Sequence, residues 1–331
     1  MRNFTVMPGF RACPGYKKTI GFSLRRVLWD ILSLVILLAC GTIGYVLGEK
    51  FAQNGIVGLI IGAVVGIILT ALISHFISYL LKAGQIAMMT RGITEGELPD
   101  NVIAEGKKAV KERFGAVAAY YAITNAIKGI FNQLGRLITN VGQKVGGDTG
   151  GAIGSAVSSA VQTVVNYLCD CCLGWIFYRK DVKAAKAACE GAVLFFKHGK
   201  TFAKNMGRVF GMGLVSLLAI GGVFAGIFYA ILSWQSQALA GVYESVAGAA
   251  QDMEGSFAQI LQNPQTLPIV FAVLGGVIVW SIIHSTFIKP FVLTGVLRNY
   301  INSGKDDIPS EESFSMLDSK STKFRKLHSQ L

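Results

Sequence analysis

Residues 127–145 read IKGIFNQLGRLITNVGQKV, and how this stretch meets the bilayer decides the fold. Ile127, Ile130, Phe131, Leu134, Leu137, Ile138 and Val141 recur at helical spacing, with Lys128, Asn132, Gln133, Arg136, Asn140 and Gln143 between them. The pattern is that of an amphipathic helix. It would be ordinary on a soluble protein, but the sequence around it is built for a bilayer.

The chain is 52% hydrophobic and 15% charged, with a mean hydropathy of +0.50. A soluble domain carries roughly 25% charged residues. Glycine is abundant at 39 residues and proline scarce at 7, a balance suited to closely packed membrane helices. At 331 residues there is room for one membrane domain and none for a large soluble catalytic domain beside it.

Long apolar runs lie at 27–48, 55–81, 151–178, 206–233 and 267–288. The formal net charge of +12 could suggest a nucleic-acid partner. Its distribution gives a different reason. All Lys and Arg except Lys50, Lys128, Arg136 and Lys144 fall in four segments: before the first run, after the second, after 178 and after 288. The connection 234–266 holds Glu244, Asp252 and Glu254 and neither Lys nor Arg. The positive-inside rule places the four basic segments in the cytoplasm, against anionic lipid heads, and 234–266 outside. No nucleic acid is needed to explain the charge.

Parity then acts on the opening stretch. If 82–113 is cytoplasmic and 151–178 ends in the cytoplasm at Arg179, the chain must cross outward between them. FGAVAAYYAITNA (114–126) is too short to cross alone, so the third span, 114–140, includes the polar stretch. The expectation is an all-α polytopic membrane protein of six spans in three hairpins, with interfacial helices on the cytoplasmic side. Its parts are a cytoplasmic N-terminal segment (1–22), a transmembrane domain (23–303) and a disordered, polar cytoplasmic tail (304–331). The rival is that 114–146 lies at the interface as an amphipathic helix. ILLACG (36–41) has the look of a lipoprotein cleavage box, but cleavage would remove a span that parity needs. With both termini cytoplasmic, a bacterial inner membrane is the expected location.

The basic sequences after the second and last runs are alike. Lys82, Arg91 and Glu97-Leu98-Pro99 follow one; Lys289, Arg298 and Asp307-Ile308-Pro309 follow the other. This suggests an internal repeat of a hairpin unit, as in many transporters. Gly58, Gly62 and Gly66 share one face of the second span and predict close helix packing, within the chain or between copies.

On the third helix Asn125, Lys128, Asn132, Arg136 and Gln143 lie within one broad polar face. A Lys or Arg near the bilayer centre costs about 2.5–3.5 kcal/mol, so it must meet water, an acid or the interface. Asp170, within YLCDCCLGW (167–175), is the natural partner for Lys128 or a site in its own right. His75 and His284 are possible proton relays. No P-loop, dinucleotide fingerprint, catalytic triad or metal-ligand spacing appears, so neither an enzyme nor a cofactor or metal site is expected. CCLGW (171–175), followed by a basic segment and HGKTFAKN (198–205), resembles a stretch of choline transporter-like proteins; the likeness covers too little of the chain to carry over any residue's role.

The leading functional expectation is a homo-oligomeric pore or channel lined by the third helix and favouring anions. A secondary transporter with a site near Asp170, and a non-transport scaffold whose tail holds a cytoplasmic protein, are the alternatives.

Overall fold

The structure, a computed structural model, describes residues 14–115, 117–146, 151–198, 209–249, 251, 256–263 and 265–331. All regular structure among them is helical. The chain divides into two units, one of Met1–Met206 with Pro290–Leu331 and one of Gly207–Lys289.

The first unit opens with two long helices, α1 (Pro14–Ala52) and α2 (Gly55–Thr94). The turn between them is set by Gln53 at a φ of 51° and by Asn54, whose side chain accepts from the Val57 amide at 3.1 Å. Glu49 accepts from the Gly55 amide at 2.9 Å, so both sides of the turn are tied. From Leu28 to Ile73 most large apolar side chains on these helices are exposed, the distribution of a hairpin whose solvent is lipid. The backbones meet through glycine: a Cβ on Gly58 would lie 2.6 Å from Gly48 Cα, and one on Gly44 2.8 Å from Gly62 Cα. Gly66 is looser, facing Cys40 and Leu37 side chains at 3.0 and 3.1 Å.

Below residue 28 on α1 and beyond 78 on α2 the burial inverts. Tyr16, Thr19, Phe22 and Ser23 of α1 and most of 79–90 of α2 are buried. They pack into a helical base of α3 (Val102–Phe114), the C-terminal half of α5 (Gly151–Tyr178), α6 (Ala184–Lys197) and α11 (Lys289–Lys305). The largest buried rings of this base are Trp175 and Tyr300. Small residues set the spacing. Gly191 of α6 sits against Cys172 Sγ, where a Cβ would come within 2.6 Å, and Gly304 lies on the Trp175 ring. Gly174 of α5 is held between Thr90 of α2 and Leu297 of α11. The offset that separates Thr90 from Leu297 also separates Lys82 from Lys289 and Arg91 from Arg298. The two repeat-like segments therefore meet α5 at matching positions.

α4 (Val117–Gly146) contains the amphipathic stretch 127–145. Its apolar face, with Tyr120, Ile127, Ile130 and Phe131 buried, packs on α5, α6 and the C-terminal helices. Three helices among the described residues are long and apolar enough to cross a membrane: Tyr16–Phe51, Val209–Trp234 and Leu267–Lys305; Val57–Ile73 is a shorter apolar helix. α4 and α5, counted as spans on charge alternation, are not among them. α4 carries too many polar side chains to qualify; of α5, the second half is buried against its neighbours.

The tail departs from the expected disorder. Residues 311–328 form α12 (Glu311–Lys320) and α13 (Thr322–His328), folded onto α6 and α4. Phe314, Leu317, Phe324 and Leu327 are buried, and Ser321 caps α13 by accepting from the Phe324 amide at 3.1 Å. Gln133 of α4 holds this joint, accepting from Ser321 Oγ at 3.0 Å and from the Lys323 amide at 3.3 Å. His328 closes it, 2.8 Å from Asp318 and edge-on to the Phe314 ring. Truncating a buried phenylalanine costs about 3–5 kcal/mol. Phe324→Ala is therefore expected to release the tail, and trypsin will then cut at Lys320, Lys323 and Arg325 at least tenfold faster than in the wild type. Equal rates would mean that the tail is held elsewhere.

The second unit is a hairpin of α7 (Val209–Trp234) and α10 (Leu267–Ile283), with α8 (Ser236–Ala249) and α9 (Ser256–Leu261) between them. Each long helix is interrupted by a π turn, Leu217–Gly221 in α7 and His284–Ile288 after α10. Gly276 packs on the backbone of Gly221, and Trp280 donates to Ser216 Oγ at 3.0 Å. Tyr243 and Ala247 of α8 close over Leu267, with Phe271 stacked on Tyr243 at 6.0 Å.

Candidate functional site

Where the exposed part of the first hairpin enters the base, α1, α2, α4 and α5 bring a group of charged and polar side chains together. Helical spacing does this work: Thr19, Ser23 and Arg26 share the inward face of α1, and Lys82 and Gln85 share that of α2. Asp170 projects from α5 with its side chain 3% exposed. Its partner is Lys82, whose Nζ lies 2.6 Å from Oδ1. The second carboxylate oxygen, Oδ2, is buried without a hydrogen-bond partner. Beside the pair, Gln85 donates to Ser23 Oγ at 2.8 Å and to the Thr19 carbonyl at 3.3 Å. Arg26 reaches Gln85 Oε1 through Nη2 at 3.4 Å, while its Nε is buried and unpartnered. The acids whose charge reaches Arg26 are Asp170 and Asp30. Aromatic rings wall the group: Tyr79 packs on Tyr120 at 4.4 Å and on Tyr121 at 5.8 Å, and Phe114 meets Tyr120 edge-on.

The predicted residues are distributed unevenly about this group. Asp170 is at its centre. Lys128, its expected partner, is exposed on α4, as is Asn125; Asn132 is half-buried. The expected Lys128–Asp170 pair is therefore replaced by Lys82–Asp170. Lys128 lies on the face of α4 that is turned from the core, and Lys82 lies on the face of α2 that is turned into it. Arg136 and Gln143 of α4 and His75 of α2 have side chains outside the described residues. His284 stands apart, in the second unit, its ring 5.0 Å from that of Trp280. Gly58, Gly62 and Gly66 line the α1–α2 contact rather than the charged group. Among the described residues no three His, Cys, Asp or Glu side chains come together as a metal site. Cys172 Sγ is engaged with the Ala188 carbonyl at 3.4 Å.

Sequence reasoning missed Arg26, Lys82 and Gln85. In sequence, Arg26 and Lys82 read as orientation markers, the ordinary meaning of basic residues beside an apolar run. Gln85 was the available signal, a polar side chain one turn from Lys82 within an otherwise apolar KAGQIAMM.

A second polar group lies at the C-terminal end of α5 and supports the base. Arg113 of α3 donates to the carbonyls of Ile176, Arg179 and Val182, each at 2.9 Å, and so caps the helix with a cation. Arg179 pairs with Asp181 at 2.8 Å and with Glu190 at 2.9 Å, and Trp175 Nε1 donates to Glu190 at 3.1 Å. Burial raises the Glu190 carboxyl above the ordinary glutamate value, against the opposing pull of Trp175 and Arg179. A carboxyl raised in the fold favours stability below its ordinary value and loses that advantage as pH rises through its folded value. Glu190→Gln removes this titration. Its stability relative to the wild type is expected to be lowest in acid and to improve as pH climbs out of the carboxylate range. Parallel pH–stability curves would show that Glu190 does not contribute.

No family model, curated protein or solved structure matches the chain, so nothing extends the short likeness at 171–175 and 198–205.

Proposed function

We propose that the chain is a membrane carrier, its spans arranged as hairpins with both termini on the inner side, and that the Lys82–Asp170 pair is the contact that changes between its states. One observation carries this reading: a buried acid on α5 is held by a cation from a different hairpin, while one of its oxygens is left without a partner. Ionisable groups among membrane helices are costly and mark functional positions more often than structural ones. An ion pair between packed helices is also a two-state element, since breaking it frees α2 to move against α5. The matched packing of Thr90 and Leu297 on Gly174 supports a repeated hairpin pivoting about α5, as in carriers built from repeats.

The test is solid-supported-membrane recording from proteoliposomes challenged with panels of amino acids, organic acids, amines and sugars. Transient currents for one class, absent from Asp170→Asn, are expected. Silence across the panels from folded protein would overturn the carrier reading in favour of a scaffold. A homo-oligomeric, anion-favouring pore is the second reading. Asn125 and Lys128 favour it, exposed on the face of α4 opposite the buried Ile127, Ile130 and Phe131. Steady currents in a planar bilayer that lose anion selectivity in Lys128→Gln would establish it instead.

A further inference from the structure

We infer that Arg26 is one side of a binding site for a phosphate-class anion, placed where the lipid-exposed part of α1 begins. The inference goes beyond transport, since the site lies beside the Lys82–Asp170 pair and would serve a carrier, a pore or a scaffold alike. Three observations lead to it. First, the Arg26 guanidinium is under-satisfied. Its Nε is buried without a partner, and its hydrogen bond to Gln85 is long at 3.4 Å. Among the described residues no carboxylate comes within ion-pair distance of it. Second, no carboxylate is in contact with this cation. Asp170 Oδ1 is taken by Lys82 at 2.6 Å, and Asp30, one turn further along α1, is exposed and forms no ion pair with Arg26. A partly buried cation with no counter-charge in contact is costly, and an anion from outside the chain would complete the group.

Third, the position defines where that anion comes from. Arg25, the next residue, is exposed; Leu28 and Ile31 are 66% and 54% exposed on the apolar surface that follows. Arg26 thus lies at the boundary between the helical base and the membrane-facing hairpin. A guanidinium presents its N–H groups as a planar fork that matches two oxygens of one phosphate. The shared chemistry is a phosphate monoanion or diester, supplied either by the head of an anionic glycerophospholipid or by free phosphate.

The experiment uses the full chain in a non-ionic detergent and reads its thermal unfolding midpoint. It is titrated with dihexanoyl phosphatidylglycerol, with inorganic phosphate, and with sodium chloride at matched ionic strength. A saturable rise with phosphatidylglycerol alone assigns a lipid headgroup; an equal rise with inorganic phosphate assigns the free anion. Either supports the site. In Arg26→Gln the half-saturating concentration is expected to increase about tenfold or more, the loss of at least one charge-assisted hydrogen bond. In Arg25→Gln, which changes the exposed neighbour, it should stay within about twofold. No rise above the chloride control in the wild type overturns the inference without recourse to any variant. So does a rise that Arg26→Gln retains in full. Should Arg26→Gln not fold, Arg26→Lys keeps the charge, removes the fork and must still weaken the response.

Discussion

Replacing Gly58 and Gly62 together by leucine is expected to separate α1 from α2 and abolish the folded form of the first unit. The reason is backbone contact. A Cβ at Gly58 would meet the backbone of Gly44 and Gly48, and one at Gly62 the backbone of Cys40 and Gly44. A side-chain neighbour could rotate away; a helix backbone can only move as a body. Overpacking a fitted interior commonly costs about 1–3 kcal/mol per site, and because both sites press on Gly44 their costs couple rather than simply add. A loss of about 3 kcal/mol is already a large fraction of the stability of many domains. In lipid the loss is felt directly, because close packing rather than the expulsion of water holds these helices together. Gly41→Leu is the control, since a Cβ at Gly41 meets nothing within 4 Å. In unfolding by added dodecyl sulfate, the double variant should show no cooperative transition while Gly41→Leu keeps the wild-type midpoint. Equal midpoints would mean that the two helices are not in contact through these glycines. Gly66→Ala, facing side chains rather than backbone, should fall between.

The glycine contact was legible because both of its partners declare themselves in sequence: small residues at four-residue spacing on two neighbouring helices, joined by a short turn. The amphipathic pattern of α4 was equally plain. What the pattern could not give was the surface that covers its apolar face, which turns out to include α5, α6 and the tail. The tail itself misled through composition. SFSMLDSKSTKFRKL is polar overall, yet Phe314, Leu317, Phe324 and Leu327 recur at helical spacing, and Ser321 precedes its helix as a capping residue. Periodicity was the better guide there than the count of charges. The charged site was half legible for a different reason. Asp170 stands out as an acid in an apolar helix, but its partner is set by which face of α2 turns inward. Lys82 lies far from it in sequence, and Lys128 satisfies the same charge argument on paper. Electrostatic reasoning from sequence supplies the need for a partner, and only tertiary geometry supplies its identity.

That identity makes a double-mutant cycle decisive. Lys82→Met leaves a carboxylate that is 3% exposed without its cation, whereas Asp170→Asn leaves a lysine that is 38% exposed and able to turn toward water. The two single variants should therefore not be equal. Removing one partner of a buried pair costs about 3–5 kcal/mol when the remaining charge cannot escape. Part of Lys82 is solvated and its attraction screened, so the lower end of that range is expected for Lys82→Met, and about 1 kcal/mol for Asp170→Asn. The double variant removes both charges and should be more stable than Lys82→Met alone, because no uncompensated ion remains. Stability by itself would not separate a structural pair from a working one. The carrier reading adds a second readout: transient currents should be lost in both single variants and should stay lost in the restored double variant. A double variant that recovers its fold together with full currents would reduce the pair to a brace between α2 and α5. A double variant that recovers its fold and remains silent would place the charged contact, and not only the packing around it, in the transport cycle. Such a protein has kept the helix packing that the pair supports and lost only a buried carboxylate and the cation that answers it.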